Sequence, residues 1–143
     1  KTPEAKKIEA AVMAKLGRVR QILFLNEISN MRGLLKICDA VLFPAQSLYK
    51  KVDIPLTLLE AMSLGKPVIA SKLPALTELL TPECGVLAEM NNSYEWTESM
   101  LKMVADPAWR MELGVNARQR VIDFFNAQSM ARSYEKIYRK LLE

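Results

Sequence analysis

The only charged side chain between Ile54 and Gly65 is Glu60, and that isolation makes it the first candidate for chemistry in a chain of 143 residues. The run Asp53-Ile-Pro-Leu-Thr-Leu-Leu-Glu-Ala-Met-Ser-Leu-Gly65 reads as a helix that opens at Pro55, where a missing N–H costs nothing, and stops at Gly65. It is apolar on nearly every side and offers no Lys or Arg to pair with the carboxylate. A carboxylate so placed either reaches solvent in a cleft or is desolvated at considerable cost unless something donates hydrogen bonds to it. A vicinal diol is such a donor, with two hydroxyls for one carboxylate, and the helix N-terminus at Pro55 to Thr57 suits a pyrophosphate. The bland alternative is a surface glutamate whose stem lies along apolar neighbours.

Other chemistries are missing. There is no histidine, and the two cysteines, Cys38 and Cys84, are too few and too far apart to frame a zinc site. They read as reduced, partly buried thiols, which points to a cytoplasmic compartment. No Asp-x-Asp occurs, so no metal is demanded. With five glycines in all, and neither a Gly-x-Gly-x-x-Gly nor a Walker loop, any phosphate must be held in another way. A helix N-terminus at the carboxyl edge of a parallel sheet is the way that remains.

The net charge of +4 raises the question of nucleic acid, but residues 1–20 carry six basic groups against Glu4 and Glu9 and account for all of it. From residue 21 onward fourteen basic groups balance fourteen acidic ones, so no nucleic-acid partner is expected. Half the residues are hydrophobic and a quarter charged, with no apolar tract long enough to span a bilayer, so the chain reads as a soluble domain without an export signal. The basic first helix is a weak candidate for peripheral contact with anionic lipid, since its polar face also carries Glu4 and Glu9.

These groups are positioned by an α/β alternation. Ala5, Ile8, Val12 and Leu16 make one helical stripe over residues 3–16, closed by Gly17. Strand-like runs follow at Val19–Leu25, Ala40–Phe43, Pro67–Ser71 and Gly85–Ala88, separated by helices at Asn30–Cys38, Pro55–Leu64 and Ala75–Leu80. The last three runs are almost continuously apolar, as in a parallel sheet covered on both faces. The rest is helical: Trp96, Met100, Met103 and Val104 keep a helix period, a helix runs from Pro107 to Phe124, and Met130, Tyr134, Ile137, Tyr138 and Leu141 mark the last. These methionines and aromatics are core or docking residues. The expected fold is a single, partial α/β domain over residues 1–143, a parallel sheet with helices on both faces and a helical tail at 107–143.

The chain resembles the C-terminal, donor-binding domain of the retaining family-four glycosyltransferases, which have the two-Rossmann-domain GT-B architecture. The resemblance rests on Val41-Leu-Phe-Pro44, Leu58-Leu-Glu-Ala-Met62, Gly65-Lys-Pro-Val-Ile-Ala-Ser71, Glu78 and Gly85-Val-Leu. Arg110-Met-Glu-Leu-Gly114, Ala117-Arg118 and Tyr134-Glu-Lys-Ile-Tyr138 extend it through the tail, so it covers about residues 19 to 143. It implies that Glu60 binds the ribose of a UDP-, GDP- or ADP-sugar used as substrate, and that Leu56 and Thr57 contact the diphosphate through their backbone. Glu78 matches a glutamate that is either a structural cap or a ligand, and 24–28 matches a loop bordering the base. No tightly bound cofactor is implied.

The sequence also departs from the family. Its motif pairs two glutamates eight positions apart, and counting back from Glu60 reaches Val52, so the glutamate nearest the transferred sugar is absent. Asp53, one residue on, is the candidate to replace it as a sugar contact. No catalytic residue is otherwise assigned in this chain. The resemblance further implies two earlier strand–helix units, with an Arg and a Lys for the donor phosphates, and a separate N-terminal domain for an acceptor. Both would precede residue 1, leaving the strand at Val19–Leu25 cut off from the other three. The chain therefore reads as the donor half of a hexosyltransferase. The alternative is a non-catalytic interaction module that has lost the donor site, and whether Glu60 faces an open cleft or another helix separates the two. The 143-residue chain alone is expected to transfer no sugar, and turnover by the purified chain in a donor-hydrolysis or transfer assay would contradict this.

Overall fold

The computed structural model describes residues 2–17, 22–25, 27–48 and 54–142. The described chain divides into two compact units, Lys1–Met31 and Arg32–Glu143. The first holds α1 (Pro3–Leu16). Its start is fixed by Thr2, whose Oγ1 accepts from the Ala5 N–H at 3.3 Å, and by Pro3 in the first turn. Its end is Gly17, at φ 63°, whose N–H donates to the Met13 carbonyl. The strand expected over Val19–Leu25 is not borne out where it can be described: residues 22–25 form no strand, and 19–21 lie outside the described residues. An extended segment becomes a strand only when a neighbour shares its N–H and C=O groups, and no other strand lies among the described residues of this unit.

In the second unit the elements are α2 (Met31–Ile37), β1 (Val41–Phe43), α3 (Leu56–Ser63), β2 (Val68–Ser71), α4 (Pro74–Leu79), β3 (Val86–Ala88), α5 (Ser93–Ala105), α6 (Pro107–Phe124) and α7 (Ala127–Leu142). The three strands form a parallel sheet in the order β1-β2-β3, with Val41 opposite Val68 and Ile69 opposite Val86. This is the α/β arrangement read from the sequence, with a helical tail. β2 is central and all four of its residues are buried, as its uninterrupted Val-Ile-Ala-Ser run requires. Ser71 meets its hydrogen-bonding need by donating to the Phe43 carbonyl.

Alternation along the strands divides the core. Ile69 and Ala88 pack with Trp96 and Met103 of α5 and Leu113 of α6. Leu58, Ala61 and Met62 of α3 are wholly buried, as are Val68 and Ala70, the β2 residues that alternate with Ile69. Two caps orient the helices that follow β3. Asn92 Oδ1 accepts from the Glu95 N–H at 3.2 Å and Asp106 Oδ1 from the Trp109 N–H at 2.9 Å. The Trp96 indole N–H donates to the Glu89 carbonyl at 3.1 Å, tying α5 to the end of β3.

α3 closes with a Schellman turn: Lys66 N–H donates to the Ala61 carbonyl at 3.0 Å and Gly65 N–H to the Met62 carbonyl at 2.9 Å, with Gly65 at φ 71°. α6 then passes so close that a Cβ on Gly114 would collide with the Gly65 carbonyl oxygen. Along the same helix, Arg110 donates to the Met103 carbonyl at 2.6 Å and Arg118 to the Ser63 carbonyl at 2.7 Å. Arg120 donates to the Glu78 and Leu79 carbonyls, both at 2.7 Å. One helix thus supplies cations to the C-terminal turns of α5, α3 and α4, where carbonyls lack helical partners and the dipole is negative.

Gly114→Ala weighs a gain in helix propensity of about 0.5–1 kcal/mol against overpacking on a backbone carbonyl that cannot rotate away, at about 1–3 kcal/mol. The clash wins. A lower urea midpoint for Gly114→Ala, beside an unchanged one for exposed Val115→Ala, is the expected result.

Candidate functional site

β1, β2 and β3 all end on one edge of the sheet, and the N-termini of α3 and α4 follow the ends of β1 and β2. Among the described residues, the start of α3 carries no side-chain cap. Pro55 at its N-cap contributes no side-chain hydrogen bond and the first turn holds no acidic residue. Leu58 and Leu59 N–H groups return to the Pro55 carbonyl, which leaves those of Leu56 and Thr57 without a helical partner. Both residues are exposed, at the positive end of the helix dipole. A helix N-terminus of this kind can hold an anion on backbone donors without a cationic side chain.

Glu60 lies one turn farther along, about 6 Å by helical rise. Its side chain is exposed and, among the described residues, makes no hydrogen bond or ion pair. It lines a cleft of about 310 Å³ with Arg32 of α2, Ser63 and Leu64. Ser63 does not serve the carboxylate, because its hydroxyl donates to the Glu60 backbone carbonyl at 2.7 Å. The carboxylate therefore faces an open cleft and is not sealed against another helix. Arg32 was not foreseen from sequence. It stands in an unremarkable helical run, and only the fold brings it to the cleft that Glu60 lines.

The remaining expected residues fall in different places. Asp53 and Val52 lie outside the described residues. Glu78 is exposed on the last turn of α4, where its backbone carbonyl accepts from Arg120, and it does not line the Glu60 cleft. Leu56, Thr57 and Glu60 are the expected site residues that share one helix. Lys72, directly after β2, is an edge cation that the sequence reading passed over. It is engaged by Glu89 across the ends of β2 and β3 at 2.9 Å, and the hydrogen bond and charge of that carboxylate raise the Lys72 pKa.

A larger cavity, about 520 Å³, lies between β1 and α5 and is lined by Leu42, Ile69, Met100, Met103 and Val104, with Asp39 and Arg110 at its rim. It is mostly apolar, and the nearby charges already pair at 3.6 Å. It lacks the convergent free polar groups that would orient a polar ligand. Among the described residues no helix is long and apolar enough to cross a membrane.

The sequence profile of the glycosyl transferases group 1 family matches residues 3–120. The chain is 28% identical over 123 residues to the N-acetyl-alpha-D-glucosaminyl L-malate synthase of Bacillus anthracis, a match covering 85% of this chain and 31% of that protein. It is 31% identical over 115 residues to the MMP alpha-(1->4)-mannosyltransferase of Mycolicibacterium hassiacum, covering 79% of this chain and 27% of the relative. The fold is similar to that of Anabaena HepE, solved in complex with UDP-glucose, with a TM-score of 0.78 at 21% identity over 94% of this chain and 36% of that one. The chain thus spans about a third of the length of the curated relatives it matches.

An exposed, unpaired carboxylate contributes little to folding. Glu60→Ala is expected to change stability by less than about 0.5 kcal/mol, with an unchanged or slightly raised thermal midpoint, since Ala is the better helix former. A marked loss would assign Glu60 a structural role.

Proposed function

The chain belongs to the glycosyl transferases group 1 family, and from that premise we propose that it forms the donor-binding part of a glycosyltransferase that takes a sugar from a nucleoside diphosphate. The observation that carries the reading is the pairing on α3 of a bare N-terminus with a free carboxylate one turn on. The diphosphate lies against the Leu56 and Thr57 N–H groups, and the ribose hydroxyls donate to Glu60. An ionised acceptor makes each of those hydrogen bonds stronger than a neutral pair would be. The open cleft at Glu60 supports binding over the alternative of a module that has lost its site.

The chemical contribution of these residues is electrostatic. As the bond from sugar to diphosphate breaks, negative charge grows on the leaving oxygens, and the fixed dipole of α3 offsets it without reorganisation. Glu60 fixes the nucleoside so that the diphosphate stays at the helix end. Asp53 remains the proposed contact to the sugar in place of the motif glutamate, and retention of configuration follows from the family resemblance. Glu78, exposed on the last turn of α4 and outside the Glu60 cleft, is proposed to lie outside the donor site.

The relatives named above include an N-acetylglucosaminyl and a mannosyl enzyme, so the features found on α3 serve the nucleotide part of the donor and leave the sugar to other residues. The acceptor and the rest of the donor phosphate contacts are assigned to the parts of the relatives that this chain does not span. In calorimetry on the full-length protein, Glu60→Ala is expected to weaken nucleoside diphosphate binding about tenfold or more, the scale for losing hydrogen bonds to a charged group. Equal affinity in wild type and variant would remove Glu60 from the site.

A further inference from the structure

The Glu60 cleft contains a second free charge. Arg32 lines it together with Glu60, and among the described residues its guanidinium makes no ion pair or hydrogen bond, just as the Glu60 carboxylate makes none. Opposite charges on one small cleft that do not close on each other leave room between them for a group offering donors to one and acceptors to the other. Ser63 and Leu64 complete the lining, and the Ser63 hydroxyl is committed to the helix backbone.

Order along α3 says which part of a ligand would meet Arg32. The free N–H groups of Leu56 and Thr57 mark the diphosphate end, and Glu60 comes one turn later. Ser63 and Leu64 follow at the opposite end of the helix, about 12 Å from Leu56 by helical rise. A nucleoside diphosphate running along the helix presents phosphate, ribose and base in that order. Arg32 shares its cleft with the later residues and not with Leu56 or Thr57.

We propose that Arg32 is a specificity residue that reads the base of the donor, favouring one that presents a carbonyl oxygen, uracil or guanine, over adenine. The inference rests on the donor-binding reading given above. A guanidinium has only donors to offer, so it is satisfied by acceptors. Guanine presents O6 and N7 together and uracil two carbonyl oxygens, whereas adenine places an amino group beside its N7. An amino group facing Arg32 would leave two donors in contact with no acceptor between them. The cleft, at about 310 Å³, is at the small end of ligand sites, which fits one part of a ligand better than a whole nucleotide sugar.

The test is calorimetric titration of UDP, GDP and ADP into the full-length protein, its Arg32→Gln variant and its Glu60→Ala variant. The expected wild-type protein binds UDP or GDP more tightly than ADP. Arg32→Gln weakens the preferred nucleotide about tenfold and ADP less than twofold, so the preference collapses, the scale being that of a charge-assisted hydrogen bond. Glu60→Ala weakens all three alike, because all carry the same ribose. An Arg32→Gln variant that loses all three nucleotides equally, or none, overturns the assignment while leaving the donor reading in place. Failure of every nucleotide to bind wild type overturns both.

Discussion

The fold depends on one backbone contact, the approach of α6 to the turn that joins α3 to β2. Gly114 meets the Gly65 carbonyl with no space for a side chain, and Gly65 is itself held at positive φ by the Schellman turn that ends α3. Two glycines are needed for different reasons, one for conformation and one for clearance. Once α6 is seated there, Leu113 reaches the cluster around Ile69 and Met103, and Arg110, Arg118 and Arg120 reach the C-terminal turns of three other helices. The negative helix ends are thereby neutralised from one side by a single element.

That arrangement has a consequence for the opposite ends of α3 and α4. Their C-termini are satisfied by cations from α6, whereas the start of α3 has neither a side-chain cap nor an acidic first turn. The seat of the helix is set by Leu58, Ala61 and Met62, which are wholly buried. Rigidity at one end of the helix thus fixes the direction of the free dipole at the other. Glu60, on the same helix, inherits its placement from that packing.

Much of this was legible in the sequence, because the signals were local. Apolar runs covered on both faces gave β1, β2 and β3, and Pro55, Gly65 and Asp106-Pro107 bounded helices through backbone constraints that do not depend on the rest of the chain. Glu60 was legible because it was the single charge in an apolar helix. At residues 22–25 the composition misled, since apolar and β-branched residues state only that a segment tolerates a strand, while pairing requires a neighbour. Arg32 and the capping roles of Arg118 and Arg120 were invisible for a related reason: the cleft and the carbonyls they meet come from segments distant in sequence. The helical stripes divided as well, with Trp96 and Met103 buried but Met130, Tyr134, Ile137, Tyr138 and Leu141 of α7 exposed. Periodicity identifies an apolar face without saying what covers it.

The central claim is that a nucleoside diphosphate lies along α3, phosphates at its N-terminus and ribose at Glu60. A crystal structure of the full-length protein with UDP or GDP tests it most directly. The account predicts ribose hydroxyls about 2.5–2.7 Å from the Glu60 carboxylate, the range for charged O–H···O bonds, and diphosphate oxygens facing the N–H groups of Leu56 and Thr57. A nucleotide bound in the apolar cavity beside Leu42 and Met100, or with its ribose turned away from Glu60, would contradict it.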